Sequence, residues 1–219
     1  FNTENIDEGY KFLESISSPY VLKADGLAAG KGVLILEKLD EAKKELYEML
    51  VNKKFGDASQ SVLVEEFLDG IEVSVFFITD GKDYVLLPEA KDYKRIGEDD
   101  KGPNTGGMGA VSPAPALNQN LNKEIFNNII LPTINGMKLE GYPYEGILYA
   151  GVMITKKGPK VIEFNCRFGD PETQVVLPRL NTDLVSIIQK TIKKNLNNKF
   201  NLVLDDINVF SINKYNQIQ

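Results

Sequence analysis

Hydrophobic residues recur at helical spacing twice in the first fifty residues of the chain. We expect Asn5 to cap the first helix, with Glu8 as its capping-box partner, and Pro19 to close it. We expect Asp40 to cap the second. In each run the apolar side chains share one helical face. These positions are Ile6, Tyr10, Leu13 and Ile16 in the first run, and Ala42, Leu46, Met49 and Leu50 in the second.

Two further helical runs lie in the second half of the chain. Residues 121–139 predict a helix that Pro132 kinks or splits, because proline lacks an amide hydrogen and clashes with the preceding turn. The last run is expected to be capped by Thr182 or Asn181. Its aligned apolar residues are Leu184, Ile188 and Ile192.

Short runs of β-branched and aromatic residues between the helices predict strands. Residues 71–79 and the stretch KDYVLLPEAK flank an Asp80-Gly81 turn, and residues 147–155 and 160–166 flank KKGP, so each pair reads as a hairpin. The other predicted strands are Tyr20–Ala24, Val33–Leu36 and residues 61–66. Hairpins mixed with separate helices indicate an α+β fold with largely antiparallel sheets.

Residues 92–115 are rich in glycine, proline and charge, and we predict that they form a long functional loop. The helices and strands predicted in the first seventy residues form a small α/β unit, so we place a domain boundary near residue 70. The predicted organisation is therefore a small domain over residues 1–70, a larger domain over residues 71–205 and a tail over residues 206–219.

Composition narrows the classes of partner. The 219 residues carry a net charge of −6, which argues against a general nucleic-acid binder but allows a local basic pocket for a small anion. The single cysteine, Cys166, favours a reducing cytoplasm. No stretch predicts a signal peptide or a membrane span, so no membrane partner is expected. Because the first residue is Phe1 and not methionine, we expect the chain to begin inside a longer protein.

The chain has no histidine. This removes the commonest general base and every nucleophile that a histidine activates. Catalysis would therefore depend on carboxylates, lysine, arginine, backbone dipoles and a metal held by oxygen ligands. That set suits phosphoryl transfer, in which positioning and charge neutralisation supply most of the rate.

The stretch KADGLAAGKG, residues 23–32, is a candidate phosphate-binding loop. It is not a Walker A motif, because only three residues separate Gly26 from Gly30 and Gly32 follows Lys31 where a hydroxyl is required. It is not a dinucleotide fingerprint, because the residues that follow predict a strand. It reads as strand, flexible loop and strand, either wrapping an anion with backbone N–H groups or exposed as a solvated hairpin.

The stretch KVIEFNCRFGDPETQ, residues 160–174, is a candidate magnesium site. Alternation along a strand places Glu163 and Asn165 on one face, opposite an apolar face that carries Phe164. A carboxylate and an amide oxygen are suitable ligands for Mg²⁺, and Arg167 follows closely enough to meet the phosphates that the metal would bridge. The alternative is an exposed strand face followed by a turn at Asp170.

Two other stretches are candidates for binding. GPNTGGMGAVSPAP, residues 102–115, presents backbone donors at Gly106, Gly107 and Gly109 and predicts either an anion nest or a flexible surface loop. The KDYKR stretch just before it supplies local positive charge, or ordinary solvated charge. The stretch VEEFLDGIE, residues 64–72, predicts an edge strand whose backbone N–H and C=O groups could bind an adenine, while Glu72 could bind a ribose hydroxyl. Without the neighbouring motifs, it would be only an edge strand with acidic side chains.

Taken together, KADGLAAGKGV, EEFLDGIE, KDYKRIGEDDKGPNTGGMGAVSPAP and IEFNCRFGDPETQ resemble glycinamide ribonucleotide synthetase, also called phosphoribosylamine–glycine ligase, an ATP-grasp enzyme of purine biosynthesis. The resemblance runs to about Leu204. It implies an ATP-grasp core in which two α+β subdomains hold ATP. It also implies a reaction in which ATP phosphorylates glycine, and the amine of 5-phosphoribosylamine attacks the glycyl phosphate to give an amide, ADP and phosphate.

The resemblance also implies roles for individual residues. Arg167 and Lys31 would be catalytic, with Lys31 on a flap over the triphosphate, and Glu163 and Asn165 would bind Mg²⁺ or Mn²⁺. The implied nucleotide-binding residues are Lys23, Lys31, Glu65, Glu66, Leu68 and Glu72. The residues implied to lie beside glycine and 5-phosphoribosylamine are Asp92, Gly107, Asp170, Pro171 and Glu172.

This chain departs from the family pattern in three respects. Tyr93 stands where the family often has histidine, and the stretch NVFSINKYNQIQ does not resemble the expected continuation. Complete enzymes of this kind carry N-terminal and C-terminal domains that this sequence does not include. Two other hypotheses therefore remain: a nucleotide-binding fragment without turnover, and another ATP-grasp carboxylate–amine ligase. The sequence does not predict an oligomeric state.

Overall fold

The computed structural model describes residues 1–26, 28, 32–98, 101–197 and 202–212, and of residues 101, 103, 104 and 106 it describes the backbone alone. The chain divides into two compact units, Phe1–Leu68 and Asp69–Gln219. Among the helices of these described ranges, none is long and apolar enough to cross a bilayer.

In the described part of the first unit, two α-helices pack on a four-stranded antiparallel sheet. Its elements are β1 (Asn2–Thr3), α1 (Ile6–Ser15), β2 (Tyr20–Ala24), β3 (Val33–Leu36), α2 (Leu39–Leu50) and β4 (Val62–Glu65), in the sheet order β1-β4-β2-β3. Leu13, Leu22 and Leu46, from a helix, a strand and a helix, are completely buried in one core. The predicted helices and strands of this unit are confirmed within one or two residues.

The caps of the predicted helices are confirmed in one case and wrong in two. The Asn5 side chain accepts hydrogen bonds from the N–H groups of Asp7 and Glu8, as a capping residue does. The capping box with Glu8 is wrong, because the Asn5 N–H donates to Thr3 Oγ1 instead. Helix α2 instead begins after Lys38, and Asp40 lies in its first turn, where a carboxylate favours the helix dipole without capping. The last helix of the chain is capped by Asp183, and not by Thr182 or Asn181.

The described residues of the second unit form two antiparallel sheets and four α-helices. Its elements are β5 (Gly70–Asp80), β6 (Tyr84–Leu86), β7 (Lys91–Gly97), β8 (Lys101–Ser112), α3 (Gln119–Ile125), α4 (Leu131–Leu139), β9 (Glu145–Thr155), β10 (Gly158–Asn165), α5 (Thr173–Val176), α6 (Leu184–Ile192) and β11 (Val209–Ile212). One sheet has the order β10-β9-β5-β6 and the other the order β11-β8-β7.

Neighbouring residues of β5 serve two different cores, because successive side chains on a strand point to opposite faces. Phe77 packs with Ile125 and Ile130 from the helical region, and Phe76 packs with Tyr149 and Val175. Both phenylalanine side chains are completely buried.

The helical region predicted over residues 121–139 is interrupted, as Pro132 had suggested. Helix α3 continues into a π-helical segment, Phe126–Ile130, and α4 begins at Leu131 with Pro132 in its first turn. The helical backbone is continuous through these segments, since Ile130 itself has helical dihedral angles. The residue without an amide hydrogen therefore lies just after a locally widened, π-helical turn.

The prediction of a loop over residues 92–115 is wrong. Strands β7 and β8 form a hairpin there, with register shifts between Tyr93 and Arg95 and between Arg95 and Gly97. Residues 109–112 of β8 also pair with β11, and β11 lies inside the predicted tail. Glycine and proline lower strand propensity, but pairing on both sides of β8 outweighs that preference.

Candidate functional site

In the first unit, Lys23 and Glu65 face each other across neighbouring strands. Strand β2 pairs with β4, and Lys23 Nζ lies 3.3 Å from a carboxylate oxygen of Glu65. Glu66 and Leu68 follow the end of β4. The predicted residue Lys31 lies outside the described residues.

The predicted edge strand of this unit is an inner strand. Strand β4 lies between β1 and β2, and the backbone of Phe1 exchanges hydrogen bonds with Val64. A cleft of about 540 Å³ opens beside its end, lined in part by Glu65, Glu66 and Phe67. Lys23 does not line this cleft, so the cleft alone does not identify a triphosphate site.

In the second unit, antiparallel pairing brings the metal candidates beside β5. Glu163 is paired with Gly151 and Asn165 with Tyr149, while Gly151 is paired in turn with Ser74. Residues directly opposite each other in an antiparallel pair project to the same face. A Cβ atom on Gly151 would lie 3.3 Å from Glu163 Cγ and 3.7 Å from the Tyr149 hydroxyl. Because Gly151 has no side chain, it leaves open space next to the polar side chains of Glu163 and Tyr149.

The side chains of Glu163 and Asn165 are neighbours, as the alternation predicted. Asn165 Nδ2 donates a hydrogen bond of 3.0 Å to Glu163 Oε1, although a bulge interrupts the strand between Val161 and Glu163. The opposite face is less apolar than expected, because Phe164 is 41% exposed and Cys166 is also exposed.

The Glu163 and Asn165 pair fits a magnesium ion held jointly with phosphate. Among the described residues no group of three or more histidine, cysteine, aspartate or glutamate side chains could hold a metal. Mg²⁺ commonly takes only one or two protein carboxylates together with substrate phosphates and waters. A cation between these two side chains would require the amide oxygen of Asn165, in place of its nitrogen, to face Glu163. Arg167 is exposed, and its guanidinium donates to the Phe168 carbonyl at 2.8 Å.

Polar side chains from several elements also form a cluster next to this face. The antiparallel bridge between Ser74 and Ala90 aligns Glu72 of β5 with the start of β7. Lys94 Nζ lies 2.5 Å from Glu72 Oε1 and 4.0 Å from Asp92 Oδ2. Burial opposes the charge of Lys94, but Glu72, Tyr149 and Asp92 together outweigh burial and raise the pKa of the ammonium above its ordinary value.

Ser74 joins Tyr149 to Glu172. The Ser74 hydroxyl lies 3.2 Å from the Tyr149 hydroxyl and 2.9 Å from Glu172 Oε1. Because a serine has one proton and an ionised carboxylate only accepts, the phenol donates to serine and serine donates to Glu172. Burial raises the pKa of Tyr149, which keeps its proton available for this chain.

Asp92 is the least satisfied member of the cluster. Its side chain is only 5% exposed, and Oδ1 has no hydrogen-bond partner within the described part of the chain. Burial, and after it the charge of Glu172, raise the pKa of Asp92 to about 7, although Lys94 acts in the opposite direction. The ionised carboxylate is therefore held in surroundings that oppose its charge.

We expect Asp92→Asn to become more stabilising, relative to the native chain, as pH rises from about 4 to about 7. Across this range the unfolded chain has released the proton of Asp92 while the folded chain retains it, so native stability falls by up to about 1.4 kcal/mol per pH unit. The effect levels off above the folded pKa.

The pH dependence of Asp92→Asn is measured by urea unfolding of both proteins at several pH values. The other groups around Asp92, namely Glu72, Lys94, Tyr149 and Glu172, are common to both proteins, so the difference isolates Asp92. A difference in unfolding free energy that stays constant between about pH 4 and pH 8 would contradict the elevated pKa.

The turn at residues 170–172 packs on β8. Gly107 has φ of +120°, and a Cβ atom on it would lie 2.6 Å from Pro171 Cδ. Pro171 and Glu172 are buried, whereas Asp170 is exposed and accepts a hydrogen bond of 2.7 Å from Gln174. The structure thus brings Gly107, Pro171 and Glu172 together and leaves the Asp170 side chain outside.

The sequence did not identify Ser74 or Tyr149 as site residues, and it noted Lys94 only as local charge. Each lies two positions from, or directly opposite, a predicted residue: Ser74 follows Glu72, and Tyr149 is paired with Asn165. Tyr93, the departure from the family pattern, is 40% exposed, with Lys91 Nζ 4.6 Å from its ring centroid. Its backbone N–H donates a hydrogen bond to Asp92, which lowers the pKa of that carboxyl.

Comparison with known sequences decides the family. The family described as phosphoribosylglycinamide synthetase, ATP-grasp (A) domain, matches residues 1–173. The chain belongs to this family. The ATP-grasp (A) domain assignment confirms the predicted α+β ATP-grasp fold, with helices and antiparallel sheets in both units.

Relatives of this ATP-grasp (A) domain are much longer than the chain. The human trifunctional purine biosynthetic protein adenosine-3 is 51% identical over 187 residues, which cover 85% of this chain and 18% of that protein. The phosphoribosylamine–glycine ligase of Escherichia coli (strain K12) is 46% identical over 199 residues, which cover 90% of this chain and 46% of that enzyme. The chain therefore spans less than half the length of these relatives.

A solved ligase structure has the same fold as this ATP-grasp (A) domain. The crystal structure of phosphoribosylamine–glycine ligase from Thermotoga maritima superposes with a TM-score of 0.81 at 34% identity. The match covers 90% of this chain and 50% of that one. The fold of the chain is thus that of half of a known ligase.

Proposed function

We propose that this chain is the ATP-binding core of a ligase that joins glycine to 5-phosphoribosylamine in purine biosynthesis. ATP would phosphorylate the glycine carboxylate, and the amine would then displace phosphate to form the amide. The observation that carries the proposal is the convergence of Glu163 and Asn165 with the Ser74, Tyr149 and Glu172 chain over Gly151, in a chain of this family.

In this proposal the nucleotide is bound by Lys23, Lys31, Glu65, Glu66, Leu68 and Glu72. The ion pair between Lys23 and Glu65 supports part of this set, because it keeps the ammonium at the end of β4. In the second unit, Lys94 holds Glu72 in place through the 2.5 Å ion pair. Glu72 would then offer its remaining oxygen to a ribose hydroxyl.

Glu163 and Asn165 would hold Mg²⁺ or Mn²⁺, and Arg167 would contact the transferring phosphoryl group. Bound metal supplies positive charge that neutralises the phosphate oxygens during transfer. For Arg167 to take this role, its guanidinium must exchange the Phe168 carbonyl for a phosphate oxygen, which is a stronger, charge-assisted acceptor.

Asp92, Gly107, Asp170, Pro171 and Glu172 would lie beside glycine and 5-phosphoribosylamine. The buried positions of Pro171 and Glu172 against Gly107 support a rigid substrate wall. Lys31 completes the proposed catalytic set, with Arg167. A cytoplasmic location is part of the same proposal, supported by the single cysteine and the pathway of the relatives.

We expect the double substitution Glu163→Ala with Asn165→Ala to abolish the stabilisation that Mg²⁺ adds to ATP binding, while leaving the fold intact. Both side chains lie outside the buried hydrophobic cores of the described residues, so their removal leaves no cavity. The measurement is the thermal shift produced by ATP with and without Mg²⁺, since a ligand that binds only the folded state raises the melting temperature.

The matched control is Asn122→Ala with Glu140→Ala, which removes an exposed amide and an exposed carboxylate elsewhere in the second unit. It should keep the full Mg²⁺-dependent shift. Loss of the shift in both double variants, or in neither, would contradict the metal assignment.

Turnover is tested separately by ADP release that depends on both glycine and 5-phosphoribosylamine. Release by the chain supports the ligase proposal. Binding of Mg²⁺-ATP without release identifies a nucleotide-binding fragment without turnover. Release with a different acid or amine would identify another carboxylate–amine ligase.

A further inference from the structure

Arg179 is a buried cation that has no role in the proposed function. The residue is 8% exposed, and its Nη1 donates a hydrogen bond of 2.9 Å to the Ser112 hydroxyl. In the described part of the chain its Nε has no hydrogen-bond partner, and the guanidinium forms no ion pair with a described carboxylate. Burial of a cation without a carboxylate costs stability. The effect of Arg179 must therefore be sought in what its contact with Ser112 holds in place.

The contact leads from Arg179 to the start of β7. Ser112 is completely buried at the end of β8, and its hydroxyl donates a hydrogen bond of 2.6 Å to the Glu89 carbonyl. A serine hydroxyl has one proton, so Ser112 accepts from Arg179 while it donates to Glu89. The guanidinium therefore fixes the direction in which Ser112 donates.

Glu89 adjoins the place where the two sheets of the second unit meet. Ala90, the next residue, exchanges backbone hydrogen bonds of 2.7 and 2.9 Å with Ser74 of β5, as an antiparallel bridge. This bridge links the β11-β8-β7 sheet to the β10-β9-β5-β6 sheet. Residues 89 and 90 are thus held by Ser112 on one side and by Ser74 on the other.

The bridge sets the position of Lys94 relative to Glu72. Lys94 follows Ala90 by four residues on β7, and Glu72 precedes Ser74 by two residues on β5. Because the strands run in opposite directions at the bridge, the two side chains meet, with Lys94 Nζ 2.5 Å from Glu72 Oε1. A small displacement of β7 along β5 would lengthen this ion pair and leave the partly exposed Glu72 side chain free to rotate.

We propose that Arg179 is a positioning residue that sets the selectivity of the nucleotide site for ribonucleotides. This inference rests on the proposed function, in which Glu72 binds a ribose hydroxyl. Through Ser112 and the Glu89 carbonyl, Arg179 holds β7 where Lys94 keeps the Glu72 carboxylate turned toward the sugar. A carboxylate fixed in this way accepts a hydrogen bond from a ribose hydroxyl and stays unpaired beside a sugar that lacks one.

The test compares ATP with 2′,3′-dideoxy-ATP, which lacks both ribose hydroxyls. Equilibrium dialysis of each radiolabelled nucleotide with Mg²⁺ against the full chain gives both dissociation constants. We expect the native chain to prefer ATP by about 10- to 100-fold, the range of a hydrogen bond to a charged group. Arg179→Met, which keeps an unbranched side chain without donors, should reduce the preference to about threefold or less.

Two further substitutions test the route through Ser112. Ser112→Ala should reduce the preference as far as Arg179→Met does, and the double variant should show no further loss, because both changes break the same contact. Arg179→Lys keeps a donor for the Ser112 hydroxyl and should restore part of the preference. A double variant whose loss is the product of the two single losses would contradict this route.

Asp80→Asn is the matched control for a buried polar residue that affects stability alone. Asp80 is 3% exposed at the other end of β5, and its carboxylate accepts backbone hydrogen bonds from Lys82, Asp83 and Leu196. This variant should lose stability in urea and keep the native preference for ATP. If Arg179 acted on stability alone, Arg179→Met would keep the preference too, and the inference would be overturned.

The affinity for ATP and the preference between the two nucleotides report on different claims. A native chain that binds no Mg²⁺-ATP would contradict the ligase proposal, and this inference with it. A native chain that binds both nucleotides equally would contradict the contact of Glu72 with ribose and so also overturn the inference. A native preference that survives in Arg179→Met would overturn only the role of Arg179.

Discussion

Phe76→Ala is expected to lower the free energy of unfolding by about 3–5 kcal/mol and also to weaken glycine binding. The Phe76 side chain is completely buried. Its ring stacks on Tyr149, with centroids 5.0 Å apart and planes at 18°, and it lies 6.2 Å from the Phe168 ring. Truncation would leave a cavity directly under the phenol that begins the hydrogen-bond chain to Glu172.

The neighbouring residue provides the matched control. Phe77 is also completely buried on β5, but it packs into the core beneath the helices, on the opposite face of the sheet. Phe77→Ala should therefore lose about 3–5 kcal/mol as well, yet bind glycine normally.

Urea unfolding gives the stability of both variants, and equilibrium dialysis of radiolabelled glycine at a temperature where both are folded gives the affinity. Phe76→Leu and Phe77→Leu, which leave smaller cavities, repeat the comparison if either alanine variant unfolds. Equal loss of glycine affinity in the two alanine variants would show that Tyr149 does not depend on Phe76 for its position.

The sequence predicted those parts of the fold that local patterns determine. Helix α1 was recognisable because Asn5 and the apolar spacing agree, and the hairpin of β9 and β10 because a turn separates two apolar runs. Strand β8 was missed because its glycines and prolines favour a loop. Its pairing with β11, which follows about one hundred residues later, is a tertiary effect that no local window contains.

In the candidate site, too, local patterns predicted some residues, and strand register determined the others. The neighbouring positions of Glu163 and Asn165 follow from alternation within one strand, and the structure gives them a direct hydrogen bond. Ser74 and Tyr149 lie within apolar strands, where a lone hydroxyl is usually a core residue. Only the register between β5 and β9 makes them neighbours of the acidic residues.

The roles of the site residues therefore depend on long-range register as much as on motifs. Asp92 and Lys94 alternate on β7, so their shared face was predictable in principle, but the prediction of a loop hid it. The electrostatic surroundings of Asp92 depend on Glu172, eighty residues away, whose turn packs against Gly107. The proximity of Asp92 to Glu172 could not have been inferred from sequence for this reason.

Gly107→Ala is expected to lower the free energy of unfolding by about 2–4 kcal/mol and to weaken glycine binding. Its φ of +120° is strained for any residue with a side chain, and the added methyl group would lie 2.6 Å from Pro171 Cδ. The turn must then shift, and Glu172, the next residue after Pro171, moves with it. Urea unfolding and glycine dialysis measure the two effects.

The substitution Gly146→Ala distinguishes the effect of backbone strain from the effect of a steric clash. Its φ is +121°, almost identical to that of Gly107, but a Cβ atom there would have no heavy atom within 4 Å. Gly146→Ala should therefore show the backbone term alone, about 1–2 kcal/mol, and normal glycine binding. Gly107→Ala should lower the free energy of unfolding by more than Gly146→Ala does, and the difference is the cost of displacing Pro171. Equal destabilisation by the two substitutions, with glycine binding retained in both, would show that the contact between Gly107 and Pro171 does not position Glu172.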